Sequence, residues 1–330
     1  MNLTVIGGTG LIGSQVVQKL TAAGHRAVPA APSTGVDLIT GQGLDQALEG
    51  AEVVINVANS PTFDEASADF FRTSMTNLLA AGERAGVRHQ EILSIVGVDQ
   101  VPEMHYYRAK TLQEDLLRSS PTPYSIVRAT QFFEFMDTVV SETSDETTVR
   151  LPATRLQPIA AADVADEVAE VSTSAPLNGI RSIAGPDVFP LDELGRLTLT
   201  AEHDDRTVIT DDQAGMFAPV SGDVLTAGPG AHLAPTHYRD WLQAARLPGG
   251  RRGLAVANSV RMVHGQTRTV LAGAGHRDTR DRLLGRRRTA AADADRADHP
   301  RRAPSGDRAD RRELLYRQRR GLRHKRRHSH

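Results

Sequence analysis

The chain has 330 residues, enough for one large domain or two smaller ones, and contains no cysteine, which excludes disulfides, thiolate metal sites and a cysteine nucleophile. Its net charge of −1 conceals an asymmetry, because residues 246–330 carry 24 Lys and Arg against 8 Asp and Glu, which leaves the preceding residues strongly acidic. The acidic body argues against a nucleic-acid surface, and no apolar run reaches membrane-spanning length. We therefore expect a cytoplasmic protein.

The first half of the chain alternates strand and helix patterns, which predicts a parallel sheet with helices on both faces. The expected strands are Leu3–Ile6, His25–Ala31, Gly35–Leu38, Glu52–Ala58, Glu91–Val96 and Tyr124–Val127. The expected helices are Ser14–Ala23, Gly43–Glu49, Asp64–Ala85 and His105–Arg118. This order predicts an α/β, Rossmann-type, doubly wound sheet over residues 1–130.

The pattern changes after residue 130. Strand-like segments are Thr147–Leu151, Leu156–Ile159, Ile180–Ala184 and Arg206–Ile209, and helical ones are Gln131–Val140, Ala162–Ser172, Leu191–Leu197 and Thr236–Leu242. We expect residues 131–245 to form a small α+β substrate lobe interleaved with the sheet, with Asp163 as a helix cap. Residues 246–330 have too few large apolar residues for a core, which predicts a disordered, Arg-rich tail, either a genuine extension or a reading-frame artefact.

A glycine-rich segment, Gly7-Gly8-Thr9-Gly10-Leu11-Ile12-Gly13, joins the first strand to the first helix. The glycines allow a tight turn and let a pyrophosphate approach the backbone, while the helix N-terminus offers free N–H groups and a positive dipole end. The context predicts a dinucleotide site, against the alternative of a turn with no ligand. The residues expected to contact the nucleotide are Gly7, Thr9, Gly10, Leu11, Ile12 and Gly13.

Tyr106 and Lys110 are four residues apart on a predicted helix and therefore share one face. A nearby Lys cation favours the phenolate, so we expect Lys110 to lower the pKa of Tyr106 and fit it for proton transfer. Ser94 ends the fifth predicted strand, at the edge of the sheet where ligands bind, and its hydroxyl could polarise a carbonyl. The alternative to a catalytic pair is a structural one, in which Tyr106 packs against a loop and Lys110 is solvated.

The residues after the second predicted strand bear on the cofactor. NAD-binding proteins place a carboxylate there for the ribose 2′-hydroxyl. This chain instead has Ala30-Ala31-Pro32-Ser33-Thr34, and Ser33 and Thr34 could donate hydrogen bonds to a 2′-phosphate. Arg26 stands at the other end of the strand. The pattern favours NADP over NAD.

These motifs together resemble the extended or atypical short-chain dehydrogenases/reductases, close to the NmrA-like and NAD(P)-dependent epimerase/dehydratase-like groups. The likeness spans Met1 to Leu242 and rests on the glycine segment, Asp37-Leu38, Val57-Ala58-Asn59, Ser94, Tyr106-x-x-x-Lys110, Tyr124 to Phe132, Pro158 to Ala165 and Ala184-Gly185-Pro186. The resemblance implies that Tyr106 is the acid/base, that Lys110 also holds the nicotinamide ribose and that Ser94 orients the substrate. It implies that Asp37 and Leu38 frame the adenine and that Ala58 and Asn59 contact the cofactor.

The expected function is an NAD(P)H-dependent oxidoreductase that acts on a small carbonyl, alcohol or quinone-like substrate, as a monomer or homodimer. One alternative is an NmrA-like regulator that senses NAD(P) without turnover, and another is a nucleotide-sugar epimerase or dehydratase. Four apolar residues could either line a substrate pocket or pack in the core: Phe132, Phe133, Phe135 and Met136. We expect no metal site, no membrane contact and no nucleic-acid partner, although the basic tail could touch nucleic acid.

Overall fold

The computed structural model describes residues 1–244, and the predicted disorder of residues 246–330 lies outside them. The strands are β1 (Asn2–Ile6), β2 (Arg26–Ala30), β3 (Val53–Asn56), β4 (His89–Ile95), β5 (Tyr124–Ala129), β6 (Thr148–Leu151), β7 (Arg155–Leu156), β8 (Gly179–Ala184), β9 (Phe189–Pro190), β10 (Thr207–Thr210) and β11 (His232–Leu233). The helices are α1 (Leu11–Ala22), α2 (Leu44–Ala47), α3 (Ala66–Ala85), α4 (His105–Arg118), α5 (Met136–Glu142), α6 (Ala161–Thr173), α7 (Leu191–Glu202) and α8 (Tyr238–Ala244).

Seven strands form one parallel sheet in the order β11-β8-β5-β4-β3-β1-β2. The sheet is buried on both faces, and β3 accordingly consists of consecutive apolar residues, Val53, Val54 and Ile55, before Asn56. The chain passes from β1 to β2 on one side and then to β3 on the other. This reversal opens a crevice at the carboxyl end of β1, which is where doubly wound folds bind nucleotides.

Helices cover both faces of the sheet and confirm the predicted α/β, Rossmann-type class. Helices α1 and α6 pack on one face, where Val16 and Val168 are fully buried among the strand residues. Helices α3 and α4 pack together on the other face, with Met75 and Leu117 in its core. Helix α3 ends where Gly86 takes a φ of +70°, a conformation that glycine adopts without strain.

The second half of the described chain both returns to this sheet and builds a separate layer. Strands β8 and β11 extend the sheet beyond β5, whereas β6 pairs with β10 and β7 with β9 in two small sheets. Helices α5, α7 and α8 pack around a third core that includes Phe133, Leu194 and Tyr238. Within the described residues, no helix combines the length and apolar character needed to cross a membrane.

The strand predicted over Gly35–Leu38 is wrong. The N–H of Val36 donates to the carbonyl of Ala31, at 3.0 Å, and closes the turn that follows β2. The carboxylate of Asp37 then accepts the N–H groups of Ile39, at 2.7 Å, and Thr40, at 3.2 Å. An Asp side chain that binds the backbone in this way competes with a strand ladder and produces a loop.

The predicted capping role of Asp163 is also wrong. Ala160 occupies the cap position of α6, and Asp163 lies within its first turn. Its carboxylate accepts the Thr236 backbone N–H at 3.2 Å and the Thr236 hydroxyl at 3.0 Å. Asp163 therefore ties α6 to the segment before α8, a contact between residues 73 positions apart.

Candidate active site

The glycine turn lies at the carboxyl end of β1, in the crevice described above. Gly7 has a φ of +78°, and a Cβ on it would lie 2.9 Å from the Ala58 nitrogen, so only glycine fits without strain. A Cβ on Gly13 would lie 2.2 Å from the Gly7 carbonyl oxygen, because α1 packs directly on the turn. A Cβ on Gly10 would meet only that same oxygen within 4 Å, at 3.3 Å. The turn therefore faces open space at Gly10.

The first turn of α1 suits an anion. Gly10 is the cap residue and brings no side-chain hydrogen bond, and the first turn of this helix contains no acidic residue. Leu11 is half-buried and Ile12 is buried, so these side chains anchor the helix while its first N–H groups point along the axis. The open cradle at Gly10 and the uncapped, uncharged helix start together fit the pyrophosphate of a dinucleotide.

The segment after β2 lies beside this turn, since the Ser33 hydroxyl is 3.3 Å from the Thr9 hydroxyl oxygen. Thr34 has a local role: its hydroxyl donates to the Ala31 carbonyl at 3.0 Å and accepts the Ala31 N–H at 2.9 Å. A hydroxyl has one proton, so Thr34 has none left for a ligand phosphate. The Ser33 hydroxyl likewise donates to Thr9, so both Ser33 and Thr34 would have to turn from these acceptors to bind a 2′-phosphate, and their predicted contact with it stays a prediction.

Asp37 and Leu38 lie in the loop that replaces the predicted third strand. Backbone hydrogen bonds from Thr40 and Ile39 lower the pKa of Asp37 below its usual value. The Asn77 amide of α3 donates to the Leu38 carbonyl at 2.9 Å and so holds the loop against the helix. These hydrogen bonds hold the loop in place against α3. The predicted contact of Asp37 and Leu38 with an adenine stays a prediction.

Asn59 connects the glycine turn with the phenol of Tyr106. The turn contacts Ala58 through Gly7, and the Ala58 N–H donates to the Asn56 side chain at 3.0 Å. The next residue, Asn59, accepts a hydrogen bond from the Tyr106 hydroxyl through its side-chain oxygen. Tyr106, the predicted acid/base residue, is therefore hydrogen-bonded to Asn59. The residue before Asn59, Ala58, contacts the glycine turn.

The ring of Tyr106 lies in an aromatic cluster. Phe63, in the loop between β3 and α3, packs edge-on against it with 4.8 Å between ring centroids, and Phe71 lies 6.0 Å away. Burial raises the pKa of Tyr106 above its usual range, Tyr107 adds to the rise, and the hydrogen bond to Asn59 opposes it. The predicted lowering of this pKa by Lys110 is wrong, because burial dominates and Lys110 is directed elsewhere.

Lys110 is buried against β4. Its ammonium donates to the Leu93 carbonyl at 2.7 Å and to the Gln113 side chain, and lies 4.9 Å from the centroid of Phe71. Burial lowers the pKa of Lys110 to about 7, against a smaller opposing effect from Glu114. These contacts fix α4 against the sheet, and the predicted contact between Lys110 and a ribose stays a prediction.

Ser94 takes part in a buried ionic network that the sequence analysis missed. Its hydroxyl donates to Glu114 at 2.6 Å, so its one proton is not available to polarise a substrate carbonyl. Glu114 is fully buried and also accepts from Arg128, at 2.6 and 2.9 Å, and from Arg118, at 2.6 Å. The role predicted for Ser94 is not supported by this geometry. Ser94 instead helps join β4, β5 and α4.

The four apolar residues considered for a substrate pocket divide into two groups. Phe133 and Met136 are fully buried in the lobe core, and Phe132 packs on the sheet core. Phe135 is half-buried, and its ring lies 6.3 Å from that of Phe63. Phe135 is therefore the member of this set that joins the aromatic cluster around Tyr106.

The chain matches a known protein family over the region that contains the candidate site. A model of the NAD(P)H-binding family matches residues 7–175, about half of the chain. The chain belongs to the NAD(P)H-binding family. The matched range begins at the glycine turn and includes Asn59, Tyr106 and Lys110. No functionally curated protein sequence matches the chain.

Two solved structures, each with a bound nicotinamide dinucleotide, share the fold of this chain. UDP-glucose 4-epimerase from Thermus thermophilus, in complex with NAD, is 18% identical with a TM-score of 0.54, over 64% of this chain and 86% of that one. dTDP-4-dehydrorhamnose reductase from Bacillus anthracis, in complex with NADP, is 15% identical with a TM-score of 0.54, over 72% and 90% of the two chains. At these identities the likeness shows the fold alone.

Proposed function

We propose that the protein is an NAD(P)H-dependent oxidoreductase of the short-chain dehydrogenase/reductase type, acting in the cytoplasm on a small carbonyl or alcohol, with Tyr106 as the acid/base. One observation carries the proposal: the Tyr106 hydroxyl is hydrogen-bonded to Asn59, and the preceding residue, Ala58, contacts the glycine turn. A proton donor therefore lies close to the glycine turn, where we propose that the dinucleotide binds.

Tyr106 is suited to the direction of reduction because its phenol carries a proton at neutral pH. When bound, NAD(P)H supplies a hydride to the carbonyl carbon. The phenol, which is protonated at neutral pH, gives its proton to the carbonyl oxygen. The carbonyl becomes an alcohol, and Tyr106 regains a proton from water. Asn59 orients the hydroxyl before it turns to the substrate.

We further propose NADP as the cofactor. The carboxyl end of β2 continues into Ala31, Pro32 and Ser33, with no carboxylate to repel a 2′-phosphate. The hydroxyls of Ser33 and Thr9, 3.3 Å apart, are the polar side chains that could bind it.

The test replaces Tyr106 by Phe and uses Tyr107→Phe as the matched control. Tyr107 is also a buried phenol, and its oxygen accepts a hydrogen bond from Gln131 at 3.1 Å. We expect Tyr106→Phe to lower kcat for carbonyl reduction by about a hundredfold or more, with NADPH affinity unchanged, since general acids contribute about that factor. Tyr107→Phe should keep most of the turnover. Full turnover by Tyr106→Phe would overturn the mechanism.

The alternative of a non-catalytic NAD(P) sensor also has support from one observation. The Tyr106 hydroxyl and the Lys110 ammonium are both bound to protein groups, Asn59 and the Leu93 carbonyl, rather than to each other. A sensor would bind NADPH equally well with Tyr106→Phe and would reduce no carbonyl compound.

A further inference from the structure

We propose, on the basis of the oxidoreductase function above, that the substrate is a neutral compound with an aromatic ring next to its carbonyl, held against Phe63 and Phe135, and that the site rejects nucleotide diphosphate sugars. Two independent features of the described residues support this substrate class. One is the aromatic wall around Tyr106, and the other is the charge of the lobe.

The aromatic wall consists of Phe63, Phe135 and Tyr106. Phe63 lies 4.8 Å from Tyr106 and 6.3 Å from Phe135 between ring centroids, so its ring contacts both the proton donor and the lobe. All three residues are only half-buried, so each keeps some surface that a ligand could contact. Aromatic rings prefer edge-to-face or offset packing at such distances, so a ring substrate could pack on them with its carbonyl near Tyr106.

The lobe is strongly acidic. Residues 131–244 contain 19 Asp and Glu against six Arg and no Lys. Each of these arginines forms an ion pair with a carboxylate of the protein, at 2.6 to 3.7 Å: Arg150, Arg155, Arg181, Arg196, Arg206 and Arg239. A nucleotide diphosphate sugar would bring negative charge into this lobe, whose described arginines are already neutralised by carboxylates. Coulomb repulsion therefore disfavours that class, whereas a neutral ring meets no such cost.

Binding to the full chain saturated with NADP⁺ tests the proposal separately from turnover. The probes are acetophenone, its saturated counterpart cyclohexyl methyl ketone, and UDP-glucose, each titrated by calorimetry. We expect acetophenone to bind about three- to tenfold more tightly than the saturated ketone, the range that an aromatic pair supplies, and UDP-glucose not to bind. Equal affinity for the two ketones, no binding of acetophenone, or tight binding of UDP-glucose would each overturn the proposal.

Phe63→Leu and Phe70→Leu form a matched pair for the same assay. Phe70 is a half-buried ring on α3 that packs on Phe71, at 5.3 Å, rather than on Tyr106. We expect Phe63→Leu to remove the preference for acetophenone while NADPH affinity stays unchanged, and Phe70→Leu to keep it. If the wild type binds acetophenone through Phe63 but reduces neither ketone with NADPH, aromatic ketones are ligands of the site but not substrates, and the oxidoreductase function fails. If both ketones are reduced equally well by both variants, the function stands and the aromatic preference fails.

Discussion

Replacing Glu114 by Ala removes the centre of the buried network that joins α4 to β4 and β5. The carboxylate is inaccessible to solvent and accepts hydrogen bonds from Ser94, Arg118 and Arg128. Arg128 is itself 9% exposed, so the variant leaves a guanidinium in the protein interior with one remaining carboxylate, Asp99, at 3.2 Å.

Breaking a buried ion pair by removing one partner costs about 3–5 kcal/mol, and we expect the lower end because Asp99 still faces Arg128. This is a large share of the roughly 5–15 kcal/mol by which a domain is stable. The assay is urea unfolding of the full chain, followed by far-UV circular dichroism. The control is Asp115→Ala, on the same helix, whose exposed carboxylate pairs with Arg118, at 3.0 Å; such pairs contribute about 0–1 kcal/mol.

The double variant Glu114→Leu with Arg128→Met sharpens the test. It removes both charges and fills the space with apolar atoms, a change that is often neutral for buried pairs. We expect it to be more stable than Glu114→Ala. Equal losses of free energy of unfolding in Glu114→Ala and Asp115→Ala would refute the central role of Glu114, as would a double variant that is the least stable of the three.

Two further predictions concern the nucleotide turn and acid stability. Gly10→Ala should weaken NADPH binding at least tenfold while the fold persists, because the added Cβ would enter the open space at the glycine turn. The control Gly228→Ala, whose Cβ meets nothing within 4 Å, should bind NADPH normally. Equal affinities of the two variants by calorimetry would contradict the proposed pyrophosphate position. Burial lowers the pKa of His89 to about 4, so the unfolded chain, with an ordinary pKa near 6.5, binds the extra proton between these values. The free energy of unfolding should therefore fall as the pH drops from about 6.5 to 4, and less steeply in His89→Gln; parallel pH curves by urea unfolding would refute this.

The parts of the site that could be predicted from sequence are those set by local spacing. Gly7 lies in the turn after β1 and Gly13 in the first turn of α1, and the close contact between Gly13 and the Gly7 carbonyl follows from their spacing. The helix predicted over His105–Arg118 has the observed bounds, and it places Tyr106 and Lys110 four residues apart. Fold class and family are confirmed for the same reason: they rest on the order of such local patterns.

The parts that could not be predicted depend on contacts between distant residues. The Tyr106 hydroxyl meets Asn59 across 47 positions, and Ser94 meets Glu114 across 20. Phe63 lies in an irregular loop with no periodicity to indicate its ring contact. The prediction for the pKa of Tyr106 has the wrong direction because burial is a tertiary property, which the spacing of Tyr106 and Lys110 does not reveal.

Calorimetric titration of the full chain with NADPH and, in parallel, NADH tests the central claim most directly. We expect saturable binding of one nucleotide per chain, tighter for NADPH, and at least tenfold weaker in Gly10→Ala but unchanged in Tyr106→Phe. If neither nucleotide binds to the folded protein, the glycine turn is only a structural element and the proposed oxidoreductase function is contradicted.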